Sequence, residues 1–330
     1  MSSKPAKDID CLVVGYAGVD RIIRIDRPAE PGKTSIILNA DNRKVTYGGN
    51  GSNAAVCMGR LGCKVAPLMR VGEDWEELGY RQMLLDSGVD LRGVTIVPDE
   101  TTSICHLIED RENRHLTMTY PGAMNARYAP PTYPDELFER AKYGLITVAT
   151  RPDVELFFHQ AKEHGLPLIF GVRVDLESFP PELFEQLLLE SEIIFMNEVE
   201  REFIENRFDV HPITALFDRG RAKTIVVTLG GDGSAVYERT SGGTKETLVS
   251  ATACRRAVDT TGAGDSYIAG FLYGVLKGKD AVTCAEYAST VASFVIEKVG
   301  CTDGAPDEKQ MLLRNAARAN TDHMKEEKSW

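Results

Sequence analysis

Short apolar runs alternate with segments of helical period along most of this 330-residue chain. Residues 65–69 and 94–97 flank a helical pattern over 75–85. From residue 135 the alternation repeats. A helical segment over 136–142 precedes a strand at 144–149. Helix 153–164 precedes strand 166–171, and helix 181–190 precedes strand 193–196. Helical segments up to Arg221 then lead to strand 223–229. A strand that is apolar throughout needs cover on both faces, and a helical crossover is what joins parallel neighbours. The pattern predicts a three-layer α-β-α fold of Rossmann-like type, built on a mostly parallel sheet. Residues 9–15 add a buried first strand. Segments 233–237, 246–249 and 255–258 read as shorter edge strands, 280–297 as the last core helix, 306–320 as a surface helix and 321–330 as a polar, disordered tail. No internal repeat or low-complexity linker divides the chain, which reads as one domain over 1–330.

Residues 21–47 break the pattern. Short β-like pieces at 21–25, 34–38 and 43–47 follow one another with turns but no helix between them. Segments 103–108 and 115–119 form a second such pair. They predict a small antiparallel sheet, drawn from about 21–47 and 101–120, that stands off the main sheet as a lid. A flat accessory sheet with one apolar face covers a site or pairs with a second subunit. A homodimer through the lid is therefore expected.

Two glycine loops feed helices. In 258–276, Gly262 and Gly264 precede Ile268, Phe271, Leu272, Val275 and Leu276, one buried helical face. Free N–H groups at a helix start, with the positive end of its dipole, make an anion site. Asp265 stands at its mouth; a capped helix after a tight turn would look the same. In the second loop, Gly48 to Asn53 precedes Ala54, Ala55, Met58 and Leu61 at helical spacing. Asn50 and Asn53 there offer neutral donors and acceptors suited to hydroxyl groups. The same residues, as Gly49-x-Gly51-x-x-Ala54 with Glu73 and Asp74 further on, also match a dinucleotide fingerprint, which leaves an NAD-dependent oxidoreductase as an alternative.

Further candidates fall after strands, where open parallel sheets bind ligands. Asp20 follows the first strand and suits a polyol hydroxyl. Arg173 and Asp175 follow the strand at 166–171. Asn197-x-x-Glu200 reads either as part of a Mg²⁺–water–phosphate network or as a helix cap with a first-turn glutamate. Thr228, Gly230 and Gly233 form a turn that suits close approach of a nucleotide or an ordinary hairpin.

A formal net charge of −11 with no basic run excludes nucleic acid and anionic membrane as partners. No apolar stretch is long enough for a membrane span. The seven cysteines are scattered, with no Cys-x-x-Cys pair, and read as reduced thiols of a cytoplasmic protein.

Taken together, these stretches resemble the ribokinase-like (PfkB) carbohydrate kinases. Gly48-Gly-Asn-Gly-Ser-Asn-Ala-Ala55 is similar to that family's N-terminal signature, and Asp259-Thr-Thr-Gly-Ala-Gly-Asp265 with Gly270 to its C-terminal one. Asn197-x-x-Glu200 and Thr228-Leu-Gly-x-x-Gly233 are similar to its metal/phosphate and nucleotide motifs, and Pro121-Gly-Ala123 to the end of its lid. The resemblance covers residues 9–305. It implies ATP-dependent phosphorylation of a sugar or nucleoside hydroxyl, a primary one. Asp265 would be the base, and the N–H groups of Gly262, Ala263 and Gly264 the anion hole. Asp20, Gly49, Asn50 and Asn53 would hold the acceptor, with Arg173, from its place after a strand, a further acceptor-binding candidate. Asn197 and Glu200 would organise Mg²⁺ through water, Thr228, Gly230 and Gly233 would line the ATP, and Asp259 and Gly300 would border a K⁺ site. The helix start is expected to lower the Asp265 pKa.

Departures from the family concern the acceptor. Gly18 stands where ribokinases proper have Asn, and Asn50 where they have Lys. Ala149 or Thr150 stands where their substrate glutamate falls, and Gly304 replaces a cation ligand. Residues 292–301 are similar to the family's archaeal-type nucleoside kinases, which favours a nucleoside. A non-catalytic sugar sensor on the same fold is a third reading, against which the intact Asp265 stands.

Overall fold

The computed structural model describes residues 6–40, 45–112, 115–125 and 127–326. The chain begins with β1 (Ile9–Val14), β2 (Gly18–Arg24), β3 (Thr46–Gly48), α1 (Asn50–Arg60), β4 (Val65–Gly72), α2 (Tyr80–Asp86) and β5 (Val94–Val97). It continues through β6 (Ile104–Glu109), β7 (His115–Tyr120), α3 (Asp135–Arg140), β8 (Ala141–Ile146), α4 (Arg151–Glu163), β9 (Leu168–Gly171), α5 (Pro181–Glu190) and β10 (Ser191–Asn197). It ends with α6 (Glu198–Arg207), α7 (Leu216–Arg219), β11 (Thr224–Thr228), β12 (Ser234–Thr240), β13 (Gly243–Val249), α8 (Ala263–Leu276), α9 (Ala281–Val295) and α10 (Glu308–Glu326).

The main sheet has nine strands in the order β13-β12-β11-β10-β9-β8-β1-β4-β5. Pairings from β11 to β5 are parallel, and the β12 and β13 edge is antiparallel. The pleat feeds two cores. Cys11 and Val13 of β1, Leu145 of β8 and Phe195 of β10 face the layer of α1, α8 and α9, with Met58, Phe271 and Val291. Leu12, Val14, Ile146 and Ile194 face the layer of α3, α4 and α5, with Phe138, Phe157 and Phe184. This is the three-layer arrangement that apolar strands demand. In α8, a Cβ on Gly270 would meet the Ala288 Cα at 2.7 Å, so glycine lets α8 and α9 pack backbone to backbone.

The second sheet has four strands in the order β3-β2-β6-β7. Its outer pairings are antiparallel, while β2 and β6 run parallel. Both of those strands rise from the carboxyl side of the main sheet, which sets their common direction.

Several boundaries differ from expectation. Segment 34–38 makes one bridge, Ile25 to Ile37, and no strand. Two backbone bonds join it to the end of β2, the Asp26 N–H to the Ile36 carbonyl at 3.0 Å and the Leu38 N–H to the Arg24 carbonyl at 2.7 Å, while Asp26 Oδ1 takes the Ile36 N–H and Asn39 Oδ1 the Arg24 N–H, so side chains interrupt the ladder. Of the piece at 43–47, residues 43 and 44 lie outside the described residues, and β3 begins at Thr46. The helix expected over 75–85 is divided: a 3₁₀ turn at Glu73–Trp75 ends before Gly79, whose φ of +73° breaks the run, and α2 follows. Segment 255–258 is not a strand. Two of its N–H groups go to the turn after α9, Arg255 to Glu297 Oε1 at 2.7 Å and Val258 to the Ile296 carbonyl at 2.7 Å. The strand expected at 144–149 lies earlier, as β8. The tail expected from 321 is helical through Glu326, and 327–330 lie outside the described residues.

One buried ion pair ties the small sheet's exit to the main body. Arg70, near the end of β4, pairs with Asp153 in the first turn of α4. The same guanidinium donates to the Met124 carbonyl at 2.6 Å and the Ala129 carbonyl at 2.7 Å. Asp153 also accepts from the Tyr133 hydroxyl at 2.7 Å and from Thr150 Oγ1. Removing one partner of a buried pair leaves an uncompensated charge. Asp153→Ala is therefore expected to lose about 3–5 kcal/mol in urea unfolding. A midpoint equal to the wild type would show that Arg70 needs no counter-charge.

Candidate active site

The strand order reverses between β8 and β1: from β1 the chain builds outward through β4 and β5, and from β8 it builds the other way. Such a reversal opens a crevice at the carboxyl ends of the strands. A cleft of about 120 Å³ lies there. Thr147 after β8, Arg173 after β9, Asn197 at the end of β10 and Thr228 at the end of β11 line it, with Asn50 of α1 and Gly264 and Asp265 of α8.

The loop before α8 is built as an anion-facing turn. Gly262 has φ +77°, and a Cβ on it would strike the Cys301 carbonyl at 2.7 Å, so no other residue fits that turn without a shift. No side chain caps α8, so Asp265 does not act as its cap. The Ala263 N–H is engaged by the Thr260 carbonyl at 3.2 Å. The Gly264 N–H has no acceptor among the described residues, and a Cβ on Gly264 would meet nothing within 4 Å. Of the three expected donors, Gly264 thus faces open space and Ala263 closes the turn.

Asp265 is held by α1. Asn53 Nδ2 donates to its Oδ2 at 2.9 Å and Asn50 Nδ2 to its Oδ1 at 3.3 Å. Burial pushes its pKa up, against the opposing pull of those two amides and of Arg173. The direction is opposite to the lowering expected from the helix start, and desolvation by the surrounding protein is its largest cause. The two asparagines, expected to face acceptor hydroxyls, spend amide hydrogens on Asp265 instead.

Asp20 lies within β2, not at the end of a main-sheet strand. Its carboxylate sits over the glycine loop: a Cβ on Gly48 would strike Asp20 Oδ2 at 2.4 Å. Gly49, with φ +92°, turns the chain into α1 under the Tyr16 carbonyl. Tyr80 accepts from the Gly18 N–H at 3.2 Å and donates to the Gly48 carbonyl at 3.1 Å, clamping β2 to this loop. Burial raises the Asp20 pKa to about 6, helped by the like charge of Asp259 and opposed by the Cys301 thiol. Asp259 and Gly300 are brought together, the Gly300 N–H donating to Asp259 Oδ2 at 3.1 Å. Thr261 donates twice to Asp259 Oδ1, through its N–H at 2.9 Å and its hydroxyl at 2.7 Å.

Asn197 and Glu200 form a capping box: the Glu200 N–H donates to Asn197 Oδ1 and the Asn197 N–H to Glu200 Oε2, both at 2.8 Å. The cap reading is therefore realised, and both side chains still line the cleft. Burial raises the Glu200 pKa against the Asn197 N–H and Arg173. The exposed Arg173 is the cation that acts on both carboxylates. Gly230, at φ +57°, has open space around it, whereas a Cβ on Gly233 would strike the Val249 carbonyl at 2.0 Å. Gly233 thus serves the hairpin. Among the described residues no group of three or more His, Cys, Asp or Glu could hold a metal ion, and no helix is long and apolar enough to cross a membrane.

The dinucleotide alternative loses its footing here. The fingerprint follows β3 of the small sheet, and a Cβ on Gly51 would meet the Gly15 Cα at 2.7 Å. Gly51 therefore lets α1 approach the end of β1, and no room for a pyrophosphate remains between them. Sequence reasoning missed Tyr80, and it read Cys301 only as one of the reduced thiols.

Comparison with known proteins agrees with this geometry. The family model described as pfkB family carbohydrate kinase matches residues 8–308. A nucleoside kinase of Methanothermobacter thermautotrophicus is 31% identical over 319 residues, 95% of this chain and 97% of the relative. The crystal structure of Methanocaldococcus jannaschii nucleoside kinase, an archaeal member of the ribokinase family, superposes with a TM-score of 0.81 at 25% identity, covering 95% of this chain and all of the other. Arabidopsis thaliana ribokinase, solved with ribose and ATP, superposes with a TM-score of 0.77 at 24% identity, covering 93% and 98%. The chain belongs to the pfkB family of carbohydrate kinases and is a phosphotransferase that acts on an alcohol group.

Proposed function

We propose that this kinase transfers the γ-phosphoryl group of ATP to a primary hydroxyl of a nucleoside or sugar, with Asp265 as the base. The observation that carries this is one juxtaposition. A carboxylate with a raised pKa is held by two amides beside the open Gly264 N–H at the start of α8. The acceptor hydroxyl docks on Asp265 and gives up its proton as its oxygen bonds to the γ-phosphorus. The bond from that phosphorus to the bridging oxygen breaks, and ADP leaves. Phosphoryl transfer depends mainly on positioning and on stabilising spread negative charge. The Gly264 N–H, the α8 dipole and Arg173 supply that here, with Gly262 and Ala263 fixing the turn. A carboxyl pKa raised toward the working pH makes a better base than an ordinary aspartate.

Asp20, Gly49, Asn50 and Asn53 form the acceptor side. A nucleoside is the favoured class, in keeping with the nucleoside kinase that is 31% identical. Gly18, Asn50 and Ala149, which depart from ribokinases proper, argue against free ribose. Thr228 and Gly230 line the nucleotide path. Mg²⁺ neutralises phosphate charge when bound. The residues fit it through water, because capping occupies Asn197 Oδ1 and Glu200 Oε2 and leaves Glu200 Oε1 for a water ligand. Asp259 and Gly300 would border a K⁺ site. The small sheet serves as a lid over the acceptor. It also carries Leu116, Met118 and Tyr120 exposed on one face of the edge strand β7, a surface suited to a homodimer.

Asp265→Asn is expected to lower kcat by about 10²–10⁴-fold with the melting temperature retained. Near-normal turnover would remove Asp265 as the base. The pH dependence follows from Asp20. Its carboxylate accepts acceptor hydroxyls only when ionised, so kcat/KM should fall below pH about 6, by about tenfold per unit. The same raised pKa means that ionising Asp20 costs the folded state stability above that pH. Asp20→Asn should therefore raise the melting temperature at neutral pH, with the gain fading as pH falls toward the ordinary aspartate range, while acceptor affinity drops. A melting temperature lowered at neutral pH would contradict this. Light scattering should give a dimer at micromolar concentration; a monomer would dismiss the lid interface.

A further inference from the structure

The helix that carries Asp265 and the turn at Gly230–Gly233 lie far apart in the chain, and one hydrogen bond joins them. Tyr267 stands two residues after Asp265 in α8 and lines the same cleft as Asp265, Asn197 and Thr228. Its hydroxyl donates to Ser234 Oγ at 2.7 Å, and both side chains are buried. Burial raises the phenol's pKa, so it keeps the proton that it donates. The ring stands edge-on to Phe195 of β10, with centroids 6.4 Å apart, which fixes where the hydroxyl points. Ser234 is the first residue of β12 and pairs with Thr228, the last of β11. Thr228 pairs in turn with Asn197, the last of β10, so the three form one row across the sheet. The turn between Thr228 and Ser234 closes on itself: the Leu229 N–H donates to the Gly233 carbonyl at 2.8 Å and the Gly233 N–H to the Gly230 carbonyl at 3.3 Å. A turn braced in this way moves as a unit, with Ser234 as its foot. Replacing a buried hydrogen-bonded pair by apolar groups of the same shape costs little stability, so packing alone does not account for two hydroxyls here.

We propose that Tyr267 and Ser234 are positioning residues for the phosphoryl donor, their hydrogen bond setting the turn at Gly230–Gly233 against the start of α8. This rests on the kinase reading above, in which that turn borders the nucleotide while Asp265 and the Gly264 N–H act on the reacting groups. A misplacement of about 1 Å between reacting groups is enough to slow such a transfer. Of the two elements joined, α8 is the fixed one, because Gly270 packs it backbone to backbone on α9. The β11–β12 turn belongs to the edge of the main sheet, where only β13 lies beyond β12, so it is the element with room to shift. A hydrogen bond supplies a distance and a direction that apolar contact does not. Its loss should be felt on the nucleotide side. Asp265 is held from α1 by Asn50 and Asn53, and neither contact passes through Ser234.

Tyr267→Phe, Ser234→Ala and the double variant test it. Each single substitution leaves one buried hydroxyl without its partner and should lower the melting temperature, whereas the double variant leaves none and should recover it. Donor affinity should not follow stability. The KM for ATP should rise about three- to tenfold in each single variant, the effect of one hydrogen bond, and stay raised by the same factor in the double. The acceptor KM should change by less than about twofold. A wild-type KM for ATP in the single variants would overturn the proposal. So would its return to the wild-type value in the double variant along with the melting temperature, which is what a purely structural role predicts. Losses that multiply in the double variant would also overturn it, since the two hydroxyls would then act separately. Isothermal titration with Mg²⁺ and ATP, without acceptor, makes the same comparison with no turnover. A wild type that binds no ATP would remove the kinase reading and the donor-positioning role with it. Binding of equal strength in the wild type and all three variants would remove the positioning role alone.

Discussion

Two helices that begin 213 residues apart, α1 at Asn50 and α8 at Ala263, meet at Asp265, and the rest of the cleft depends on that meeting. The asparagines of α1 hold a carboxylate whose charge the surrounding protein disfavours. Neither helix could be there without close backbone approach. Gly51 lets α1 reach the end of β1, Gly262 lets α8 start against the Cys301 carbonyl, and Gly270 lets α8 lie on α9. A side chain at any of these positions would push apart the groups that define the site.

Charge in the cleft follows the same logic. The chain is acidic overall, and the candidate site gathers Asp20, Glu200, Asp259 and Asp265; burial pushes all four pKa values up, and only that of Asp259 ends below its ordinary value. Asp259 escapes because Thr261 and Gly300 donate three hydrogen bonds to it. Arg173 is the counterweight that acts on both Glu200 and Asp265. Carboxylates kept poorly solvated are ready to exchange protein contacts for hydroxyls, water or a metal-bound shell, which is what a phosphoryl-transfer site requires.

Legibility in the sequence followed how local each cause is. Strands apolar on both faces could only form a covered parallel sheet, so the run at 193–196 appears within β10 and that at 223–229 around β11. The cap at Asn197 and Glu200 was legible because its two ends lie three positions apart. Segment 255–258 was not, because its N–H groups find partners around the end of α9, far along the chain. The direction of the Asp265 pKa was misread for a related reason: the helix start is local, whereas the protein that desolvates the carboxyl group comes from elsewhere in the chain. The contact of Cys301 with Asp20 joins residues 281 positions apart, and nothing near either residue announces it.

The parallel pairing of β2 with β6 has a mechanical consequence. The small sheet is joined to the main body by several separate crossings of the chain. One is the short link from β1 to β2, and another is the single residue Gly49 between β3 and α1. The Arg70 anchor fixes the exit beyond β7. A plate held at several corners by short tethers keeps few degrees of freedom. It can rock or twist by small angles about a line through its attachments, but it cannot swing clear like a door on one hinge.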